Sequence, residues 1–150
     1  MKAQGARPQA LIADDDSDIR DVLAMAAQGS GLDPVLAEDG RQAVHLLESL
    51  HPDIILLDVQ MPGLSGIEVC WWIRRQRHLA HVPVVLVSAR TSPFEIDAGL
   101  LAGANHYVTK PFTPAHISGV IAQYRYSRST APTALRAPTA VVIPEFGPAR

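Results

Sequence analysis

Pro52-Asp53-Ile54-Ile55-Leu56-Leu57-Asp58-Val59-Gln60-Met61-Pro62-Gly63 is the stretch that decides the fold. Four consecutive aliphatic residues, entered through Pro-Asp and left through a Pro-Gly turn, read as a short strand buried on both faces, as strands of parallel sheets are. That run ends on a carboxylate, Asp58. Ala10-Leu11-Ile12-Ala13 likewise ends on Asp14-Asp15, and Val84-Val85-Leu86-Val87 ends on Ser88, while the segment before Lys110-Pro111 completes the set. Strands are expected near 10–13, 34–37, 53–57, 83–87 and 105–109.

Helical spacing fills the gaps between them. Ile19, Val22, Leu23 and Ala26 recur at i, i+3, i+4, i+7, and Ala43, Leu46, Leu47 and Leu50 do the same. Val69, Cys70 and Ile73 give a third helix one apolar face. Ser92-Pro93 and Thr113-Pro114 are cap and first-turn pairs that open a fourth and a fifth, the latter buried through Ile117, Val120, Ile121 and Tyr124. Gly99 inside the fourth costs about 1 kcal/mol relative to alanine and suggests a mobile helix. Alternating strands and helices indicate βαβ units around a parallel sheet, whose ligands bind at the carboxyl ends of the strands. Asp14, Asp15, Asp58, Ser88 and Lys110 therefore converge on one crevice.

The chemistry of that set points to phosphoryl transfer. Clustered carboxylates repel one another and favour a bound cation, and magnesium suits oxygen ligands that include only one or two carboxylates plus phosphate oxygens. Asp14 and Asp15 are the expected ligands, with Asp16 and Asp18 as first-turn acids of the first helix. Asp58 is the candidate nucleophile, able to form an aspartyl phosphate, while the Lys110 ammonium and the Ser88 hydroxyl suit the phosphoryl oxygens.

With 150 residues, 47% of them hydrophobic, and a formal net charge of −2, the chain suits one globular domain and lacks the basic balance of a nucleic-acid-binding one. The single cysteine, Cys70, reads as a small buried hydrophobe in a reducing compartment. No apolar run approaches the ~20 residues that span a membrane, and no signal peptide is visible, so a cytoplasmic location is expected. Residues 1–8 read as a flexible start and 127–150, rich in Pro, Ala and Thr, as a disordered tail too short for an output module. Within that tail, Ala140-Val141-Val142-Ile143-Pro144-Glu145-Phe146 is apolar enough to dock on a surface.

These residues resemble the receiver domain of two-component response regulators, over about 9–126. Ala10 through Asp16 matches that family's first strand and acidic pocket, Pro52 through Gly63 its phosphoacceptor segment, and Gly103-Ala104-Asn105-His106-Tyr107-Val108-Thr109-Lys110-Pro111-Phe112 its lysine segment. The resemblance implies a flavodoxin-like (βα)5 doubly wound parallel sheet of strand order 2-1-3-4-5, often with a cis bond between Lys110 and Pro111. It implies magnesium held by Asp14, Asp15, Asp58 and the backbone carbonyl of Gln60, phosphorylation of Asp58, contacts from Ser88 and Lys110 to the phosphoryl group, and a switch in which Ser88 and Tyr107 move together. The α4-β5-α5 face is the expected output surface.

The reading that follows is a stand-alone phosphoacceptor rather than an enzyme, one that assists its own phosphorylation and dephosphorylation, with Gln60 and Arg90 tuning the access of water. Its expected partners are a sensor histidine kinase or histidine phosphotransfer protein and a downstream protein target, with no nucleic acid and no membrane; a phosphorylation-dependent homodimer is compatible with it. A relay intermediate is the alternative. An aspartate-nucleophile phosphohydrolase is disfavoured because Gln60, not a general acid, follows Asp58 by two. A flavodoxin-like cofactor binder is disfavoured because Asp14-Asp15-Asp16 repels phosphate. Trp71 and Trp72 plot away from the buried face of the third helix and suggest a partner anchor. The six histidines, His45, His51, His78, His81, His106 and His116, read as surface residues without metal-site spacing.

Overall fold

A computed structural model describes residues 7–130. Five strands, β1 (Gln9–Ala13), β2 (Asp33–Ala37), β3 (Ile54–Asp58), β4 (Val84–Ser88) and β5 (His106–Thr109), alternate with α1 (Ser17–Gly29), α2 (Gly40–Leu47), α3 (Gly66–Arg74), α4 (Pro93–Leu101) and α5 (Pro114–Thr130). The strands are all parallel in the order β2-β1-β3-β4-β5. Pro34 is tolerated because β2 lies at the sheet edge, where a missing donor costs no ladder bond. α5 continues past residue 126, where the sequence suggests a tail. The apolar Ala140–Phe146 segment lies outside the described residues.

The continuous apolar runs are explained by burial on both faces. Leu11, Ile55, Leu57 and Leu86 pack against Ala43, Leu47, Val69, Ile73 and Ile96 from α2, α3 and α4. Ile12, Ile54, Leu56 and Val87 pack on the other side against Leu23, Ala27, Ile117 and Ile121 from α1 and α5. Side chains alternate along each strand, so one run feeds two cores. The helices start where polar caps stop the strand connections: Asp16 accepts from the Asp18 and Ile19 amides, and Asp39 from that of Gln42. Ser65 and Glu68 of α3 form a complete capping box, each side chain taking the other's backbone N–H.

Two expectations need correcting. Trp71 is 57% exposed, with the Arg75 guanidinium 4.3 Å above its ring, but Trp72 is half-buried and packs on the core. At 100° per residue Trp72 lies only 60° from Val69, beside the buried stripe, and its indole is wide enough to reach the core under α2, α3 and α4. Gly99 is also more than a weak helix former: a Cβ there would lie 2.6 Å from Leu86 Cδ1 and 3.4 Å from the Tyr107 ring, so its bare backbone sets how closely α4 approaches the sheet. Cys70 is buried as expected, its thiol pushed up to about 11 by burial.

Arg74, at the end of α3, is a structural hub that the sequence does not announce. Its Nε donates to Gly103 O at 2.9 Å, Nη1 to Val82 O at 2.8 Å and Nη2 to Asn105 Oδ1 at 2.7 Å, tying α3 to the starts of β4 and β5. Burial lowers its pKa, and its acceptors are backbone and amide oxygens.

His106 also departs from a surface reading. Half-buried, its Nδ1 lies 3.2 Å from the Tyr124 hydroxyl; that hydroxyl donates to Asn105 O at 2.8 Å and so accepts the imidazole proton. Burial, helped by the charge of His116, depresses its pKa to about 4. Between about 4 and 6.5 the unfolded chain therefore holds a proton that the folded chain does not, and this contribution to stability rises with pH. The difference in unfolding free energy between parent and His106→Asn should accordingly grow by roughly 1 to 2 kcal/mol from pH 4 to 6.5, after allowance for solvent screening. Urea titrations along that range check it, and a flat difference would refute it.

Candidate functional site

The topology brings four polar strand ends to one edge of the sheet. β1 and β3 lie side by side, so Asp14, just past β1, faces Asp58, the last residue of β3. Ser88 ends the neighbouring β4, and Lys110 follows β5 directly, its backbone N–H donating to Ser88 O at 2.8 Å. The Lys110-Pro111 peptide bond is cis. Gly66 secures the floor: a Cβ there would sit 2.2 Å from the Asp58 carbonyl oxygen, so only glycine lets α3 start against the acceptor strand.

Lys110 Nζ donates to Asp14 Oδ2 at 3.2 Å and to Asp58 Oδ1 at 3.3 Å. Asp14 is fully buried; its other oxygen accepts the Asp16 amide at 2.9 Å. Asp58 is 4% exposed, and its Oδ1 also accepts weakly from the Gln60 amide at 3.4 Å. Burial, and then the charge of Asp14, push the Asp58 carboxyl up to about 6, with Lys110 and the Gln60 amide pulling the other way. Burial opposes the Lys110 ammonium too, but the charges of Asp58 and Asp14 outweigh it and raise its pKa.

The donor set fits a hard cation. One carboxylate oxygen from each of Asp14, Asp15 and Asp58 lies within 4.8 Å of the others, and one ammonium does not neutralise three carboxylates. Asp15, exposed, opens the cluster to solvent. An open groove of about 470 Å³ adjoins it, lined by Asp15, Gln60, Met61, Ile67, Arg90 and Glu95 among others.

Ser88 is fully buried, and its Oγ accepts the Arg90 amide at 3.0 Å. Tyr107, 2% exposed, donates its hydroxyl to Arg90 O at 2.7 Å. With its amide oxygen turned toward Arg90, Gln60 accepts from Arg90 Nη2 at 2.8 Å and Nε at 3.0 Å. Arg90 Nη1 pairs with Glu95 Oε1 at 2.6 Å. The sequence places Gln60 and Arg90 beside the site but does not point to Glu95, whose signals are a first-turn position in α4 and a Ser-x-x-Glu cap motif with Ser92.

A doubly wound parallel α/β sheet with a carboxylate–lysine pocket at the carboxyl ends of its strands is the class that fold and site define. Within that class the chain belongs to the response regulator receiver domain family, whose model matches residues 10–122. It is 36% identical over 111 residues to the DNA-binding response regulator MtrA of Mycobacterium tuberculosis, covering 74% of this chain and 47% of the relative. It is 38% identical over 124 residues to the alkaline phosphatase synthesis transcriptional regulatory protein PhoP of Bacillus subtilis, covering 82% and 51%. The chain thus spans about half the length of these curated relatives. Among solved structures it resembles the chemotaxis response regulator CheY4 of Vibrio cholerae, with a TM-score of 0.75, 28% identity, and 79% and 99% of the two chains covered. The receiver domain of Francisella response regulator 1452 gives a TM-score of 0.73 at 32% identity, covering 81% and 98%. No helix among the described residues is long and apolar enough to cross a membrane.

Proposed function

We propose that this receiver accepts a phosphoryl group on Asp58 from a sensor histidine kinase or histidine phosphotransfer protein in a magnesium-dependent reaction, and signals through its α4-β5-α5 face. The observation that carries this reading is the Lys110 ammonium held between Asp14 and Asp58 beside an open edge formed by Asp15. Asp14, Asp15, Asp58 and the Gln60 carbonyl would hold the metal, which when bound offsets the charge that otherwise repels an incoming phosphoryl group.

Asp58 supplies the electron pair of the new O–P bond as the P–N bond of the donor phosphohistidine breaks and returns its pair to the imidazole nitrogen. Lys110 neutralises charge gathering on the phosphoryl oxygens, and Ser88 offers them its hydroxyl proton. The Ser88 hydroxyl also accepts from the Arg90 amide, and Tyr107 binds the Arg90 carbonyl, so a shift of Ser88 is passed to the aromatic beneath α4. The Gln60–Arg90 bridge lies across the groove where hydrolytic water would enter. Trp71 is a candidate partner anchor.

The downstream partner in this reading is a protein. DNA binding, printed in the name of the longer relative MtrA, is not carried over to this chain.

Incubation with magnesium chloride and acetyl phosphate, followed by intact-mass measurement and peptide mapping, tests the proposal. One phosphoryl group on the peptide containing Asp58, lost on chelation of magnesium, is expected. No adduct, or an adduct on another residue, would sink it.

A further inference from the structure

We propose that Arg90 senses the phosphorylated state: its guanidinium, shared between Gln60 and Glu95 before phosphorylation, shifts onto the phosphoryl oxygens of Asp58 and frees Glu95 to complete the N-terminal cap of α4. The inference rests on the phosphorylation of Asp58 proposed above.

Two helices of this chain begin with the same motif. Ser65-Gly66-Ile67-Glu68 opens α3 and Ser92-Pro93-Phe94-Glu95 opens α4. In α3 the box is closed both ways: Glu68 N donates to Ser65 Oγ at 3.1 Å, and Ser65 N donates to Glu68 Oε1 at 2.9 Å. In α4 only half of it forms. Glu95 N donates to Ser92 Oγ at 3.2 Å, but the Glu95 carboxylate turns to Arg90 Nη1 at 2.6 Å and the Ser92 hydroxyl at 3.2 Å instead of the Ser92 amide. Arg90 therefore withholds the second capping bond.

Arg90 is built to change partners. Its amide is fixed to Ser88 Oγ and its carbonyl to Tyr107, so the backbone is held, while the side chain is half exposed. The guanidinium already grips the Gln60 side chain, and the backbone N–H of that residue donates weakly to Asp58 Oδ1. Conversion of the Asp58 carboxylate to an acyl phosphate adds about one negative charge and three phosphoryl oxygens next to that grip. A planar guanidinium binds phosphate oxygens in a fork, whereas its present bond to Glu95 uses a single nitrogen. Loss of that bond leaves the Glu95 carboxylate three residues from an N-cap amide, the geometry that α3 already realises.

Residue-resolved amide exchange of the full chain tests this, with magnesium chloride and acetyl phosphate as the phosphodonor mixture and intact mass reporting the phosphorylated fraction. Phosphorylation should slow exchange of the Ser92 amide roughly fivefold, the size of one capping bond. Arg90→Ala should slow it without phosphodonor and show no further slowing when phosphorylated. Glu95→Gln should behave alike, because glutamine still caps but, being neutral, holds Arg90 less tightly than the carboxylate does. An unchanged Ser92 amide in a parent that has gained one phosphoryl group would overturn the sensor alone. So would Arg90→Ala and Glu95→Gln exchanging as fast as the unmodified parent. A parent that gains no mass overturns the phosphoacceptor reading and the sensor with it, while the two variants still report whether Arg90 withholds the cap.

Discussion

Asp58→Asn should take no phosphoryl group from acetyl phosphate, and without divalent cation at pH 7 it should be more stable than the parent by about 1 to 2 kcal/mol. The first half follows from the loss of the nucleophilic oxygen. The second follows from the strain of an unscreened acidic pocket: burial, and then the charge of Asp14, push the folded Asp58 carboxyl up to about 6 from an ordinary 3.8. A raised carboxyl means that the folded chain holds a proton the unfolded chain has lost. The Asp58 contribution to parent stability is therefore greatest below about pH 4 and declines as pH rises to about 6, and asparagine removes that decline. The gap corresponds to at most about 3 kcal/mol, reduced by solvent screening and by the weaker bond that a neutral amide offers Lys110. Magnesium should raise the unfolding midpoint of the parent and leave the variant nearly unchanged. A variant less stable than the metal-free parent would show that the pocket is not strained.

Arg74→Met should lower the unfolding free energy by about 3 kcal/mol, seen as a fall of roughly 1.5 M in the urea midpoint. Methionine replaces much of the volume but leaves the carbonyls of Val82 and Gly103 without the Arg74 donor and the Asn105 amide oxygen with the Val84 N–H alone. Hydrogen bonds from a charged group carry about 1.5 to 3 kcal/mol each, and partial relaxation and water entry recover some of that. Arg74→Lys should recover little, since one ammonium does not span acceptors arranged around a planar fork. Loss of less than about 0.5 kcal/mol, the scale of an ordinary surface substitution, would deny Arg74 its role.

The central strands β1, β3 and β4 are legible because each is covered on both faces and so appears as an unbroken aliphatic run with a polar stop, whereas β2, at the sheet edge, leaves Leu36 exposed. Those stops, Asp14, Asp58, Ser88 and Lys110, also made the pocket legible, since strand order turns neighbours in chemistry into neighbours in space. What escaped depends on tertiary placement. Arg74 looks like any basic residue in a last helical turn until Gly103 and Val82 are found around it. Glu95 looks like any first-turn acid until Arg90 is found holding it. Helix propensity alone marks Gly99 as a weak point, whereas its surroundings, Leu86 and Tyr107, decide its use. Trp72 flanks the buried stripe by angle, and the reach of its indole decides that it packs on the core.

The contact between Gly66 and the Asp58 carbonyl has a mechanical consequence. With Gly66 N bonded to Val59 O at 2.9 Å and no methyl between the two segments, α3 and the tip of β3 form one stiff body. The helix that follows β4 is fastened at its opening turn by side chains that can exchange partners. Under the proposed exchange, adjacent arms of the molecule differ in compliance: one keeps the Asp58 carboxylate still like a stator, and the other gives way.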